Sequence, residues 1–287
     1  MHVYLDLRCF QDDGLRNRGV GYHSQTLLQS ARDFLPSGSL LVGLTDSQLK
    51  PIEPRIRGLV DDISTVFAPR DGANLSAFVQ FSPMTHDPFV ASRFHRNERV
   101  FKAAVIYDFI PLEISERYLT TDEKFVEYAA QIGWLQAYNH LLPISACSSA
   151  RLQQLLPIPT SALDITGVAL RPAFQNRMER LGQGASLANQ SSGDSYVLCV
   201  ADGDPRKNVE LIVEAHARLN RQLPNLKLVI VGAYGGRQIS QLEDFSRKSG
   251  GDPRQLRFYH GIGDNELADR YQNALVSVSC SEAEGFS

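Results

Sequence analysis

Tyr196-Val197-Leu198-Cys199-Val200-Ala201-Asp202-Gly203-Asp204-Pro205-Arg206-Lys207-Asn208 is the stretch on which the fold turns. Its first five residues form the unbroken apolar run that a strand covered on both faces requires. After a polar loop, Asn208 opens a helical pattern in Val209, Leu211, Ile212, Ala215, His216 and Leu219. Strand, loop and helix in that order are half of a parallel crossover unit. The pattern repeats downstream: Leu226–Gly232 reads as a strand, Ile239–Lys248 as a helix, Leu256–Tyr259 as a strand and Asp264–Ala274 as a helix. A last strand-like run, Ala274–Ser279, leads into Ser281-Glu282-Ala283-Glu284-Gly285-Phe286.

The same alternation runs through the first half. Val3–Leu7 is an apolar strand, and Gly19-Val20-Gly21 opens a helix that continues to Leu35, where Pro36-Ser37-Gly38 stops it. Leu40–Leu44, Ser64–Phe67, Phe78–Phe81 and Lys102–Tyr107 read as strands. Phe125, Tyr128, Ile132, Leu135 and Tyr138 mark one helical face, with the aromatic residues read as core, and Leu141–Ser145 follows as a strand. Arg177 to Ser195 is polar and rich in glycine and serine, as linkers are. The expectation is a domain over 1–176, a linker over 177–195 and a second domain over 196–287.

Bulk properties narrow the function classes. With 287 residues the chain is long enough for two modest cores, and its formal net charge of −3 argues against a nucleic-acid-binding domain. Cys9, Cys147, Cys199 and Cys280 lie far apart in or beside apolar runs, so they read as small free hydrophobes in a reducing compartment. The seven histidines are scattered, with His86-Asp87 the nearest thing to a pair, and no metal site is expected. Charge at Asp6 and Arg8 interrupts any signal-peptide core, and no apolar stretch reaches membrane-span length. The reading is a cytoplasmic protein, with room for peripheral contact at the inner face of a membrane through a local basic patch.

Four segments carry candidate chemistry, the first three with a plainer reading beside them and the fourth too short to be specific alone. Gly19 and Gly21 precede a helix, where backbone N–H groups can approach an anion, or they are a flexible turn. The spacing departs from the dinucleotide pattern, since Ser24 stands where a third glycine would. Arg206 and Lys207 lie in a loop at the carboxyl end of a strand, where open parallel sheets bind ligands; they are a diphosphate clamp or a solvated turn capped by Asn208. Asp108 ends a buried strand in Ile106-Tyr107-Asp108-Phe109-Ile110-Pro111, as a ligand or as a turn former. Glu284 beside Gly285 can hold hydroxyl groups close to bare backbone.

In this order, the segments resemble the family-four, group-1 glycosyltransferases of GT-B fold over nearly the whole chain. Gly19-Val20-Gly21-Tyr22 is similar to the family's N-terminal glycine loop, and Tyr107-Asp108-Phe109-Ile110-Pro111 to its His-Asp-x-x-Pro segment. Ile144-Ser145 with Ser148 is similar to its serine motif. Asp204-Pro205-Arg206-Lys207-Asn208 is similar to its donor-domain signature, as are Phe258, Gly261, Asp264, Glu266-Leu267, Tyr271 and Ala274. The resemblance implies two doubly wound Rossmann-like domains facing a cleft. In the second domain the family's further ribose-binding Glu would lie beyond Ser287, leaving that domain incomplete.

The resemblance further implies a retaining, metal-independent hexosyltransferase, with a nucleotide-diphosphate sugar as donor substrate and no cofactor. By that analogy Arg206 and Lys207 stabilise the leaving diphosphate together with N–H groups at Gly19 and Gly21. Glu284 holds sugar hydroxyls, and Gly285 and Phe286 fix the ring through their backbone. Tyr107, standing where relatives carry a His, donates one hydrogen bond to the donor sugar, with Asp108 the better candidate for that contact. The acceptor is a glycan or lipid-linked molecule of cell-surface polysaccharide or lipopolysaccharide synthesis. Mannose is the hexose implied by the Pro-Arg-Lys-Asn variant. A non-catalytic GT-B module of a larger protein and a nucleotide-sugar epimerase are the competing readings.

Overall fold

The computed structural model describes residues 1–70, 75–182 and 195–286. Two compact units result, Met1–Ala169 with Glu284–Ser287, and Leu170–Ala283. The first is built on a parallel six-stranded sheet, β1 (His2–Asp6), β2 (Leu40–Leu44), β3 (Asp62–Ser64), β4 (Ser76–Gln80), β5 (Val100–Ile106) and β6 (His140–Pro143), in the order β3-β2-β1-β4-β5-β6. Every pairing is parallel, so each connection must cross over the sheet. Alternate residues of β1 feed different layers: Val3 and Leu5 pack with Leu28 and Leu41 on one face, Tyr4 with Val42, Phe78 and Phe94 on the other. That two-sided burial explains the apolar runs Val3–Leu5 in β1, Leu40–Leu44 in β2 and Ala103–Ile106 in β5.

The second unit carries β7 (Tyr196–Val200), β8 (Lys227–Val231), β9 (Leu256–Tyr259) and β10 (Val276–Val278) in the order β10-β7-β8-β9, again all parallel. Val197, Cys199, Leu228 and Ile230 pack against Ile212 and Val213 of the helix Val209–Asn220; Leu198, Val229 and Val231 form the other face. Both sheets reverse direction beside their first strand, between β1 and β4 and between β7 and β10. At such switch points a crevice opens at the strands' carboxyl ends.

Several expectations need correction. The third strand is Asp62–Ser64 rather than Ser64–Phe67: its main chain pairs with Val42–Leu44, while Phe67 is buried beneath the guanidinium of Arg8, 4.9 Å from its ring centroid. Residues 177–182, expected to begin the linker, end the helix Pro172–Gly182, which Arg171 and Arg177 fasten to Asp264 and Asp269 of the helix Asp264–Asn273. Residues 183–194 lie outside the described residues. Phe125, read as core, is 47% exposed, because nothing in the first turn of the helix Asp122–Trp134 is buried. Cys9 and Cys199 are buried as expected, Cys280 is half-buried and Cys147 is exposed. No helix among the described residues is long and apolar enough to cross a membrane.

The histidines predict how stability varies with acidity. His95 lies among the rings of Phe78, Trp134 and Tyr138, and neither ring nitrogen has a hydrogen-bond partner among the described residues. Burial, with Lys102 nearby, pushes its pKa down to about 4. Burial also lowers His23, His86 and His216. A depressed histidine pKa means that the unfolded chain binds the proton first. The stabilisation from neutral imidazole is therefore complete above about pH 6.5 and is lost as pH falls toward the folded values. Thermal melts should show Tm falling from pH 6.5 to 5, above the carboxylate range, and His95→Phe should flatten that slope.

Candidate functional site

In the second unit the loops after β7 and β10 meet at the switch point. The β7 loop is shaped by Asp204, whose Oδ1 accepts the Arg206 N–H at 3.0 Å and so starts the 3-10 turn Pro205–Lys207. Asn208 then takes φ 50° and ψ 42°, a left-handed geometry that Asn tolerates better than most residues. This backbone reversal ends the turn and begins the helix Val209–Asn220. Asn208 stands at the start of the helix as expected, but its side chain makes no capping hydrogen bond, so the reading of the turn as capped by that side chain does not hold.

Arg206 departs from expectation. Rather than turning to an exposed diphosphate site, it is 8% exposed, with its guanidinium donating to the Ala283 carbonyl and its Nε 3.8 Å from Asp204 Oδ2. Its own carbonyl accepts the Glu282 N–H at 2.9 Å. Arg206 thus ties the β7 loop to the chain leaving β10 from both its side chain and its backbone. Lys207 is half-buried at the end of the same turn. Its ammonium is near enough to the Cys199 thiol to oppose the shift that burial and Cys280 impose, which carries that thiol up to about 11. Lys207 ends the turn at the switch point, while Arg206 is turned to the chain leaving β10.

The glycine that ends β8 completes this edge. A Cβ on Gly232 would stand 1.8 Å from the Ala201 carbonyl oxygen, so the loops after β7 and β8 pack backbone on backbone. Tyr234 reinforces them, donating its hydroxyl to the Asp202 carbonyl at 2.9 Å. Sequence reading recorded Gly232 only as a strand end; the glycine itself was the available signal.

In the first unit, Tyr107, Asp108 and Gly285 come together. A Cβ on Gly285 would lie 2.6 Å from the Tyr107 carbonyl oxygen and 3.3 Å from Asp108 Oδ2. Ser145 and Ser148 hold that approach. Ser145 Oγ donates to the Gly285 carbonyl at 2.6 Å and accepts the Ser148 N–H at 3.0 Å, capping the helix Ala146–Leu155. Ser148 Oγ donates to the Tyr107 carbonyl at 2.6 Å. Each hydroxyl thus spends its single proton once. Asp108 Oδ1 also accepts the Ile110 N–H at 3.1 Å.

The Tyr107 hydroxyl points elsewhere. It donates to the Val20 carbonyl at 3.2 Å and lies 3.1 Å from both His23 Nδ1 and Ser24 Oγ, with burial raising its pKa. Tyr107 therefore anchors the helix Gly19–Phe34, and its expected hydrogen bond to a sugar is withdrawn. At the start of that helix a Cβ on Gly21 would lie 2.3 Å from the Arg16 carbonyl oxygen, whereas one on Gly19 would meet nothing within 4 Å. Glu284 is half-buried and Phe286 is 49% exposed. No group of three or more His, Cys, Asp or Glu side chains suited to a metal occurs among the described residues.

Two parallel sheets, each with a switch point and charged or glycine-bearing loops at its carboxyl edge, define an α/β protein of the doubly wound class. Residues 188–287, about a third of the chain, match the family model described as glycosyl transferases group 1, and the fold is that of GT-B glycosyltransferases. Sucrose-phosphate synthase from Thermosynechococcus elongatus is similar in structure, with 15% identity, a TM-score of 0.68 and coverage of 100% of this chain and 77% of that one. HepE from Anabaena, solved in complex with UDP and glucose, shows 12% identity and a TM-score of 0.57 over 98% of this chain and 74% of its own. WaaG, a glycosyltransferase involved in lipopolysaccharide biosynthesis, shows 14% identity and a TM-score of 0.56 over 99% and 76%. The chain spans 37% of the length of TarM from S. aureus. At these identities the likeness is one of fold. No curated protein matches the chain.

Proposed function

We propose that the protein is a retaining, metal-independent glycosyltransferase acting in the cytoplasm. It moves a hexose, with mannose as the working choice, from a nucleotide-diphosphate sugar to a glycan or lipid-linked acceptor of cell-surface polysaccharide or lipopolysaccharide. One observation carries this reading: the turn that ends in Lys207 is fixed to the chain leaving β10 by Arg206, at a topological switch point, inside the stretch that matches the group-1 model. The neighbours support it by their own ligands, HepE having been solved with UDP-glucose.

The chemistry follows from charge. As the glycosidic bond breaks, negative charge accumulates on the leaving diphosphate, and a fixed cation beside it stabilises the transition state more than the ground state. Lys207 supplies that cation, and the amino end of the helix Val209–Asn220 adds a partial positive charge. Arg206 acts as a positioning residue. Glu284 holds sugar hydroxyls, with the backbone of Gly285 and Phe286 beside the ring. Asp108 orients a sugar hydroxyl, and the N–H at Gly19 is offered to the phosphates. The role expected of Gly21 is withdrawn, because its N–H donates to the Leu15 carbonyl at 3.2 Å. The test is turnover of GDP-mannose and UDP-glucose with and without EDTA, followed by NMR of the product anomer. Retention with an EDTA-insensitive rate supports the reading. Inversion, or an absolute metal requirement, contradicts it. Nucleotide binding without turnover favours the non-catalytic module.

A further inference from the structure

Of the three long helices that connect β7 to β10, two are charged as their dipoles require. The helix Val209–Asn220 opens on Glu210 and the helix Asp264–Asn273 on Asp264 and Glu266. Their later arginines, Arg218 and Arg270, pair with Glu214 and Glu266 one turn earlier. The helix Gly236–Lys248 closes in the same way, on Arg247 with Asp244. It opens differently, on Arg237, with no acidic residue in its first turn. A cation there faces the positive end of the helix dipole and the free N–H groups of the first turn. The positions one turn further on are Ser240 and Gln241, so no carboxylate on the helix compensates it. Arg237 is exposed, and its guanidinium has no ion-pair or hydrogen-bond partner among the described residues.

This misplaced cation stands at the donor edge. Its helix follows β8, the strand beside β7, at the carboxyl end of the sheet. The next residue, Gln238, lies across the loop after β7: a Cβ on Gly203 would stand 2.2 Å from Gln238 Nε2. Gln238 Oε1 accepts the Gly235 N–H at 3.0 Å, and Tyr234 donates to the Asp202 carbonyl. The start of the helix and the loop from Asp202 to Lys207 are thereby joined as one ledge. The acids of that ledge serve the loop itself, Asp202 Oδ1 accepting the Asp204 N–H and Asp204 Oδ1 the Arg206 N–H. Arg206, the other arginine of the ledge, is committed to the Ala283 carbonyl.

We infer that Arg237 is a second cation for the donor diphosphate, meeting it from the β8 side while Lys207 meets it from the β7 turn. The inference rests on the transfer-site reading above and extends it to a residue from a loop outside that site. A diphosphate laid along the carboxyl ends of β7 and β8 brings negative charge to the place where the guanidinium and the helix dipole repel each other. It relieves that repulsion and gives both an opposite charge at once. The planar guanidinium can also donate two parallel hydrogen bonds to one phosphate, which an ammonium cannot. The cost of placing a cation at this helix start is thus recovered when the nucleotide binds. The two cations of the donor site come from separate loops, and not from the adjacent pair Arg206 and Lys207.

Calorimetric titration of GDP, UDP and ADP, with the matching nucleosides, separates this inference from the reading beneath it. Arg237→Ala should weaken the preferred diphosphate about tenfold and leave affinity for its nucleoside unchanged. Its Tm should stay level or rise slightly, because a cation is removed from a helix start. Arg237→Lys should recover part of the loss, since it restores the charge without the fork. Arg221→Ala is the control: that exposed arginine ends the helix Val209–Asn220, also has no partner among the described residues, and its variant should bind like the parent. Parent-like diphosphate affinity in Arg237→Ala, with Lys207→Ala impaired, would overturn the inference and leave the transfer site standing. Equal losses for diphosphate and nucleoside, or a fallen Tm, would make Arg237 structural and overturn it as well. A parent protein that binds none of the three nucleotides would overturn both.

Discussion

Gly232→Ala should unfold the donor edge of the second unit and abolish nucleotide binding. The new Cβ would lie 1.8 Å from the Ala201 carbonyl oxygen, 2.7 Å from its carbon and 3.1 Å from Asp202 Cα. These are backbone atoms, so no rotamer change relieves the overlap. Neither chain can retreat freely: the Ala201 N–H donates to the Val231 carbonyl at 3.0 Å and the Gly232 N–H to the Tyr259 carbonyl at 2.9 Å. Separating the loops breaks those bonds and displaces the turn that holds Lys207. Overpacking against rigid backbone costs about 3 kcal/mol or more, enough to lower Tm by more than about 10 °C in a unit of this size. Gly236→Ala is the matched control, because a Cβ there meets nothing within 4 Å and the position opens a helix. Its Tm should stay level or rise slightly.

Arg206→Ala should be nearly as damaging, and in a way that separates it from its neighbour. Removing the guanidinium leaves the Ala283 carbonyl without its donor, exposes Asp204 to the loss of its nearby cation, and frees the chain after β10. Breaking a buried charged contact from one side costs about 3 kcal/mol. Melting temperature and nucleotide affinity should therefore fall together. Arg206→Lys should recover little, since an ammonium on a flexible stem lacks the planar fork that meets a carbonyl and a carboxylate at once. Lys207→Ala should behave otherwise, losing nucleotide affinity with Tm unchanged. If both single variants lowered affinity while keeping the parent Tm, Arg206 would be a phosphate ligand, as its position beside Lys207 first implied.

That contrast shows where the sequence stops being informative. Arg206 and Lys207 are adjacent cations in one polar loop, and nothing in their composition distinguishes them. A 3-10 turn started by Asp204 sends one inward and leaves the other at its end. Tyr107 presents the same problem, for its place at a strand end was legible but the direction of its hydroxyl was set by a contact with Val20, 87 positions away. The alternation of strands and helices was readable because two-sided burial writes itself as apolar runs in β1, β5, β7 and β8. Strand order was not, since parallel pairing leaves no local trace. Pro172 at the start of a helix was a usable signal, overshadowed by the glycine- and serine-rich stretch that follows. The approach of Gly285 to Tyr107 and Asp108 rests on Ser145 and Ser148, which the sequence offered as a motif without a task.

Calorimetric titration of GDP, UDP and ADP into the protein, with Lys207→Ala in parallel, tests the central claim most directly. Selective binding of one nucleotide, weakened at least tenfold in the variant (about 1.4 kcal/mol) at unchanged Tm, is the predicted result. Equal affinity of the parent and Lys207→Ala proteins for every nucleotide would contradict a donor site at the β7–β10 switch point.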